Sequence, residues 1–334
     1  MKSTIRKKWL KIYEMALRIT SYQPWEDMTE FVPFTFMVPN AKELPFYTFF
    51  GGVDMQRCFG FYPSHNEFLK TKKRVLHGSD KDEPDFILQN GIIGYWDDRE
   101  NVSKENYALI KELGLNFRGR GNWLHFEKLQ EGYLPAALDD EDVDFLLSCM
   151  SEFVMMVIAL YEKGMHANMK KGDIVIRWYD EKTKLFMNHR TPDTFPKTIE
   201  YPRITLKTTK KADEVKKSSA SDFSYEMDWS YLNMPLEAGG DVFIPQLLLL
   251  IEKKSGFIVT GELLSPEQNK IGIVLSVLEN VLEKYGKPKE LFVCDNEVFA
   301  LIEDFCRKFG IKLTKAKTLP EIKKARTSFL EEIR

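Results

Sequence analysis

Two aspartates in the C-terminal half have the types and positions to do chemistry together. Asp228 lies in FSYEMDWSYL, which alternates as a strand does, and Asp295 closes the apolar run ELFVCD just before a helical pattern. Side chains alternate along a strand, so Phe223, Tyr225, Met227, Trp229 and Tyr231 share one face. Asp228 then points the other way, with Ser224, Glu226 and Ser230. Ligands of open α/β sheets bind at the C-terminal ends of strands. Two carboxylates from adjacent strand ends could hold Mg²⁺ or Mn²⁺, align a phosphodiester and activate water. Two simpler roles compete with that chemistry. Asp295 suits the N-cap of the helix EVFALIEDFCRKFG, a role worth about 1 kcal/mol, and Asp228 can sit on an exposed sheet face.

A second feature is charge. Arg307 to Arg326 carries eight Lys or Arg against one Glu, in a chain whose net charge is only −2. Lys312, Lys315, Lys323, Lys324 and Arg326 are therefore the candidates for contacting nucleic acid. The competing reading is a solvated surface, because few aromatic residues lie there for base stacking. FRGRGNW (Phe117 to Trp123) offers Arg118 and Arg120 beside two glycines. It lacks the strand-before-helix setting of a phosphate loop and reads as a tight connection. The five histidines are scattered, and no G-x-S-x-G or other activated-nucleophile motif occurs.

The elements that must position the aspartates run from Asp222 to Lys317. SDFSYEMDWSYL and VFIPQLLLLIEKKSGFIVTGELL give three strands, then a helix, KELFVCDN, a second helix and IKLTKA. The order is β-β-β-α-β-α-β. The first of these helices is expected to start at Ser265 as N-cap, with Pro266 at its first position, Gln268 closing a capping box and Gly286 as its stop. Ile271, Val274, Leu275, Leu278, Val281 and Leu282 form its apolar stripe. Upstream, Ile5, Trp9, Ile12, Tyr13, Ala16 and Leu17 recur at helical spacing. FTFMVP, FYTFFGG and CFGFYP read as short aromatic strands, and Asn66 to Leu76 as a helix. FILQNGIIGYW reads as a strand or hairpin. SKENYALIKELG is a helix from Ser103 to Gly114. NWLHFEKL reads as a strand, and DDEDVDFLL opens a long apolar helix whose acids suit the positive end of the dipole. Asp173 to His189 reads as a β-hairpin.

This gives an α+β domain over 1–205 and an α/β domain over 222–334. Between them, 206–221 is polar, lysine-rich and free of aromatics, as exposed linkers are. At 334 residues and 43% hydrophobic the chain can bury two cores. Cys58, Cys149, Cys294 and Cys306 are scattered without C-x-x-C, and no signal peptide is evident, so reduced thiols in a cytoplasmic protein are expected. Phe145 to Tyr161 is interrupted by Ser148, Ser151 and Glu152 and reads as a core helix, not a membrane span. No resident cofactor is implied.

The C-terminal element order, with DWSYL and the D-N-x-x-F of Asp295, Asn296 and Phe299, resembles the RNase H-like fold of retroviral integrases and cut-and-paste transposases. The front half is similar to a family of uncharacterised bacterial two-domain proteins. That similarity lies in YWDDRENVSKENYALIKELGLNFRGRGNWLHFEKLQEGYLPAALDDEDVDFLL, with KIYEMALRI and PWEDM. The integrase resemblance implies a third carboxylate about 35 residues beyond Asp295. Glu331 has that spacing but lies near the chain end, and Glu321 falls in the first turn of its helix. Two functions follow as expectations. One is a catalytically degenerate module that binds nucleic acid or a protein. The other is a metal-dependent nuclease or strand-transfer enzyme using Asp228, Asp295 and Glu331 with Mg²⁺ or Mn²⁺.

Overall fold

The computed structural model describes residues 2–27, 32–37, 41–52, 55–77, 83–84, 86–166, 170–207, 209–238 and 241–333. The chain is mixed α/β and forms two compact units, one of 1–79 with 85–199 and one of 80–84 with 200–334. The stretch HGSDKDEPD over 77–85, whose composition reads as a polar loop, lies mostly outside the described residues.

The first unit contains α1 (Ser3–Thr20), α2 (Pro24–Asp27), β1 (Phe34–Met37), β2 (Phe46–Gly52), β3 (Met55–Tyr62), α3 (His65–His77) and β4 (Gly91–Asp97). A 3₁₀ turn (Arg99–Asn101) follows, then α4 (Lys104–Leu113), β5 (Trp123–Leu129), α5 (Asp140–Glu162), β6 (Asp173–Asp180) and β7 (Leu185–Pro192). The strands make one sheet in the order β5-β4-β3-β2-β1-β6-β7. The hairpin expected near 173–189 is thus part of the main sheet, because β6 lies parallel to β1.

Caps explain where the helices stop and start. Ser103 accepts the Asn106 amide at 3.1 Å, and Gly114 closes α4 with φ 76°, where a side chain would be strained. Asp139 and Asp142 form a reciprocal capping box at the start of α5. This helix is long and apolar enough to cross a membrane, yet Val143, Leu146, Met150, Phe153, Val157 and Leu160 pack into the core of the unit. Phe153 stands at the centre of an aromatic cluster, with ring centroids 4.8 Å from Phe49, 5.1 Å from Phe34, 5.5 Å from Tyr47 and 5.6 Å from Phe61. Gly94 leaves room on β4 for the ring of Phe59, its partner on β3, since a Cβ there would fall 2.4 Å from that ring. In α1, Ile19 is buried and Leu17 exposed, so the buried face is turned slightly from the expected stripe.

The second unit opens with α6 (Lys210–Lys217), which corrects the expectation of an exposed linker over 206–221. Thr209 caps it by accepting the Ala212 amide at 3.2 Å, and Ala212 is buried in the core of the unit. The preceding Leu206 amide donates to Asp304 Oδ2 at 2.8 Å. Arg307 and that amide, with Lys308 nearby, hold the Asp304 carboxyl down to about 2. Lys210, Lys216 and Lys217 of α6 are exposed, so composition alone looked like a linker.

The remaining elements are β8 (Ser224–Tyr231), β9 (Leu236–Ala238), β10 (Asp241–Phe243), β11 (Gln246–Glu252), β12 (Ile258–Leu264), α7 (Lys270–Tyr285), β13 (Glu290–Val293), α8 (Asn296–Phe309), β14 (Lys312–Lys315) and α9 (Pro320–Ile333). β9 and β10 pair with each other, and the other strands form a sheet in the order β12-β11-β8-β13-β14. β8 runs antiparallel to β11 and parallel to β13, which is parallel to β14. One face carries Tyr225, Met227, Trp229, Leu248, Leu250, Leu291 and Val293 against α7 and α8. The other carries Leu247, Leu249 and Ile251 against Leu319, Ile322, Phe329 and Leu330 of α9 and the turn before it.

The start of α7 differs from expectation. Gln268 does accept the Ser265 amide, at 2.9 Å, but it closes a turn, and Asn269 caps the helix by accepting the Gly272 amide at 3.0 Å. Two caps follow one another, and the second one wins. Ile271, in the first turn, is consequently exposed.

Candidate functional site

β8 lies between β11 and β13 at the middle of the second sheet, so both of its edges are paired. Glu226, Asp228 and Ser230 share the face turned to α9 and are 1%, 7% and 5% exposed. The alternative of an exposed Asp228 is therefore corrected: α9 packs over β8 and β11 and buries it. The Glu226 carboxylate has a defined task. Its Oε2 accepts the Glu321 amide at 2.9 Å and the Ile322 amide at 3.1 Å, the unsatisfied donors of the first turn of α9. A buried acid at the positive end of a helix is stabilised by these bonds and by the dipole.

Asp228 and Asp295 come from neighbouring parallel strands. Phe292 pairs with Glu226, so the register carried two residues on sets Asp228 level with Cys294, one residue before Asp295. Oδ1 of Asp295 accepts the Glu297 amide at 2.7 Å and the Val298 amide at 3.2 Å, which makes it the N-cap of α8. Glu331 lies exposed on α9. Arg326, five residues earlier, already reaches the Tyr231 carbonyl at 3.5 Å, and Glu331 is about 7 Å further along the helix. Glu321 pairs with Lys324 at 2.7 Å. Among the described residues no group of three His, Cys, Asp or Glu side chains is placed to hold a metal ion. The amide of Tyr231, at the end of β8, donates to Glu83 Oε1 at 2.9 Å.

The basic strip is largely engaged with its own surroundings. Lys312 lies 3.0 Å from Glu290, Lys315 bonds Asn296, Lys324 bonds Glu321, and Arg307 and Lys308 both face Asp304. Lys323 is exposed. Lys312 and Lys315 also sit at the two ends of β14, an edge strand, where lysine discourages pairing with another chain.

FRGRGNW is the tight connection its composition suggests. The Gly121 amide donates to Asp98 at 2.7 Å, Arg57 bonds the Gly121 carbonyl, and Arg120 is 3.9 Å from Asp98 and almost fully exposed.

One group of titratable residues was not singled out from the sequence. On β4 and β5, Tyr95 stands opposite His125, with rings 5.5 Å apart, and His125 Nε2 is 3.7 Å from Glu127. Burial, then repulsion from Asp97, raises the Glu127 carboxyl to about 6, and burial lowers His125. The alternation in LHFEK was the available signal: Leu124 and Phe126 face one core, His125 and Glu127 the other side. Because the folded pKa of Glu127 lies above its ordinary 4.5, its ionisation opposes folding, and stability falls as pH rises from about 4.5 through 6. Glu127→Gln should therefore raise the unfolding free energy of the first unit at pH 8 by up to about 2 kcal/mol. It should also flatten that part of the pH profile in urea titrations. An unchanged profile would mean that Glu127 ionises freely. Burial also pushes the Cys149 and Cys306 thiols up to about 12, so neither is an activated nucleophile.

Two family models match the chain: the domain of unknown function DUF7309 over residues 9–177 and the domain of unknown function DUF6930 over residues 211–330. No curated protein matches it. Among solved structures, the HTLV-2 integrase catalytic core domain in complex with magnesium (trimeric form) is 12% identical with a TM-score of 0.25, over 32% of this chain and 66% of that one. The catalytic core domain of BIV integrase is 17% identical with a TM-score of 0.22, over 29% of this chain and 57% of that one.

Proposed function

The chain belongs to the family of the domain of unknown function DUF7309, and we propose that its second unit is an RNase H-like module that binds a protein partner and does not cut phosphodiesters. The RNase H-like reading is supported by the succession β8, β11, β12, α7, β13, α8, β14 in one sheet ordered β12-β11-β8-β13-β14. The observation that carries the non-catalytic reading is the use made of the acids. Asp295 gives one oxygen to two amides of α8, Glu226 gives one to two amides of α9, and Asp228 lies beneath that helix. A site with two carboxylates holds Mg²⁺ weakly without help from substrate phosphates. The pairing of Lys312, Lys315 and Lys324 with neighbouring groups favours a protein over nucleic acid as partner.

The test is direct. Mg²⁺ or Mn²⁺ should leave the melting temperature unchanged, and Asp295→Ala should cost about 1 kcal/mol as the loss of a helix cap. DNA and RNA, single- or double-stranded, should show no retardation at low salt. A Mn²⁺-dependent rise in melting temperature that disappears in Asp228→Asn and Asp295→Asn would overturn the non-catalytic reading. Retardation that is steeply salt-dependent and abolished by changing Lys312, Lys315, Lys323 and Lys324 to Glu would move the partner to nucleic acid.

A further inference from the structure

The two edges of the second sheet are built differently. β14 reads KLTK, with lysine at both ends. β12 reads IVTGELL, with one charge in seven residues. Edge strands of soluble proteins usually carry charge, proline, bulges or a cover that prevents addition of another strand. β12 has one irregularity, opposite Leu250 and Ile251, and is otherwise a regular ladder on its inner side.

Register shows which face of β12 is left bare. Ile258 stands opposite Ile251, Gly261 opposite Leu249 and Leu263 opposite Leu247, which are the residues packed under α9. The helix covers β8 and β11. Ile258 and Leu263 therefore extend the same apolar floor outward, where they remain 48% and 43% exposed. Phe257, just before the strand, is 60% exposed. Gly261 between them adds no side chain, so the floor stays low. A groove of about 320 Å³ runs between the start of β12 and α9, lined by Gly256, Ile258, Ala325, Ser328 and Phe329 and by the ion pair of Glu321 with Lys324. One end is positively charged. Lys324 is matched there by Glu321, and Lys254 in the β11–β12 turn and Lys323 on α9 are exposed lysines of the two elements that border the groove.

We propose that this edge and groove bind an extended segment of a partner protein, added to β12 as a sixth strand. Backbone hydrogen bonds along the edge supply affinity, and side chains at alternate positions supply selectivity. The segment places an apolar side chain between Ile258 and Phe329. It carries an acidic residue at the end that bears Lys254 and Lys323, where charge complementarity fixes its direction. This inference rests on the binding-module reading and names the form of the partner.

The experiment is selection of random eight-residue displayed peptides on the full-length chain, followed by synthesis of the best binder. The selected peptides should alternate apolar and polar residues and carry Asp or Glu at one end. Adding the synthetic peptide should slow hydrogen exchange of the β12 amides. The double variant Ile258→Lys, Leu263→Lys gives β12 the guarding that β14 has. It should weaken binding by more than about tenfold and leave the melting temperature unchanged. Binding that persists in the double variant, or protection elsewhere on the second unit, overturns the β12 assignment and leaves the module reading standing. Self-association abolished by the double variant overturns it as well, by giving the edge to a second copy. Metal-dependent cleavage of nucleic acid counts against the module reading alone.

Discussion

Phe153→Ala should remove about 3–5 kcal/mol from the stability of the first unit. The side chain is fully buried on α5, and rings from three successive strands meet it: Phe34 of β1, Tyr47 and Phe49 of β2, and Phe61 of β3. Truncation leaves a cavity that the surrounding rings cannot close, because each of them is itself held by the sheet. Edge-on and offset pairing of aromatic rings is worth about 0.5–1.5 kcal/mol per pair beyond the area it buries, so the upper part of the range is expected. A domain is stable by about 5–15 kcal/mol in total, and the variant should sit near the limit of folding. Phe153→Leu keeps most of the volume and should cost far less. Urea denaturation followed through the tryptophans of the first unit gives the measurement. A loss below about 1 kcal/mol would mean that the cluster repacks freely around the gap.

The second large effect lies in the other unit. Glu226→Ala should cost about 3 kcal/mol, since it removes two charge-assisted hydrogen bonds and leaves amides of the first turn of α9 without their acceptor. Glu226→Gln keeps an acceptor oxygen and loses the charge facing the helix dipole, so its cost should be about 1 kcal/mol. The alanine variant should also speed hydrogen exchange along α9 before global unfolding, because the helix is fastened at that end. Equal effects of the two substitutions would show that packing, and not the carboxylate, holds α9. The experiment bears on function too: with α9 loosened, Asp228 becomes accessible, and any latent affinity for Mn²⁺ would appear in Glu226→Ala before it appears in the native chain.

Local signals in the sequence placed most elements well. The Ser103 cap, the Gly114 stop, the alternation of β8 and the acid before α8 are each set by residues within a few positions of one another. What failed to show depended on distant partners. Glu226 and Asp228 have the residue types of a solvated face, and only the arrival of α9, whose first turn lies 95 positions away, buries them. α6 has just Ala212 and Val215 as apolar anchors among eight residues, too few for a periodic signal; docking against α8 and the tie from Leu206 to Asp304 define it. At α7, the types expected of a capping box were present and their bond forms, yet Asn269 lay just beyond and supplied a second cap. For the candidate site, both aspartates and their relation to the strands could be read. Their commitments to helix termini could be anticipated for Asp295, where the helix is adjacent, and not for Glu226.

The distance in sequence between Glu226 and its helix also has a meaning in time. Synthesis at about 5–20 residues per second puts roughly 5–20 s between the emergence of β8 and that of α9. Through that interval the face later hidden beneath α9 has no cover. Its neighbours Leu247, Leu249 and Ile251 on β11 are apolar, and a bare apolar sheet face on a ribosome-bound chain is a site for association with other nascent chains. Glu226 and Asp228 put two negative charges, and Ser230 a hydroxyl, along the central strand of that face while it waits. The Glu226 carboxylate, one of those charges, then becomes the fastening for the helix that completes the unit.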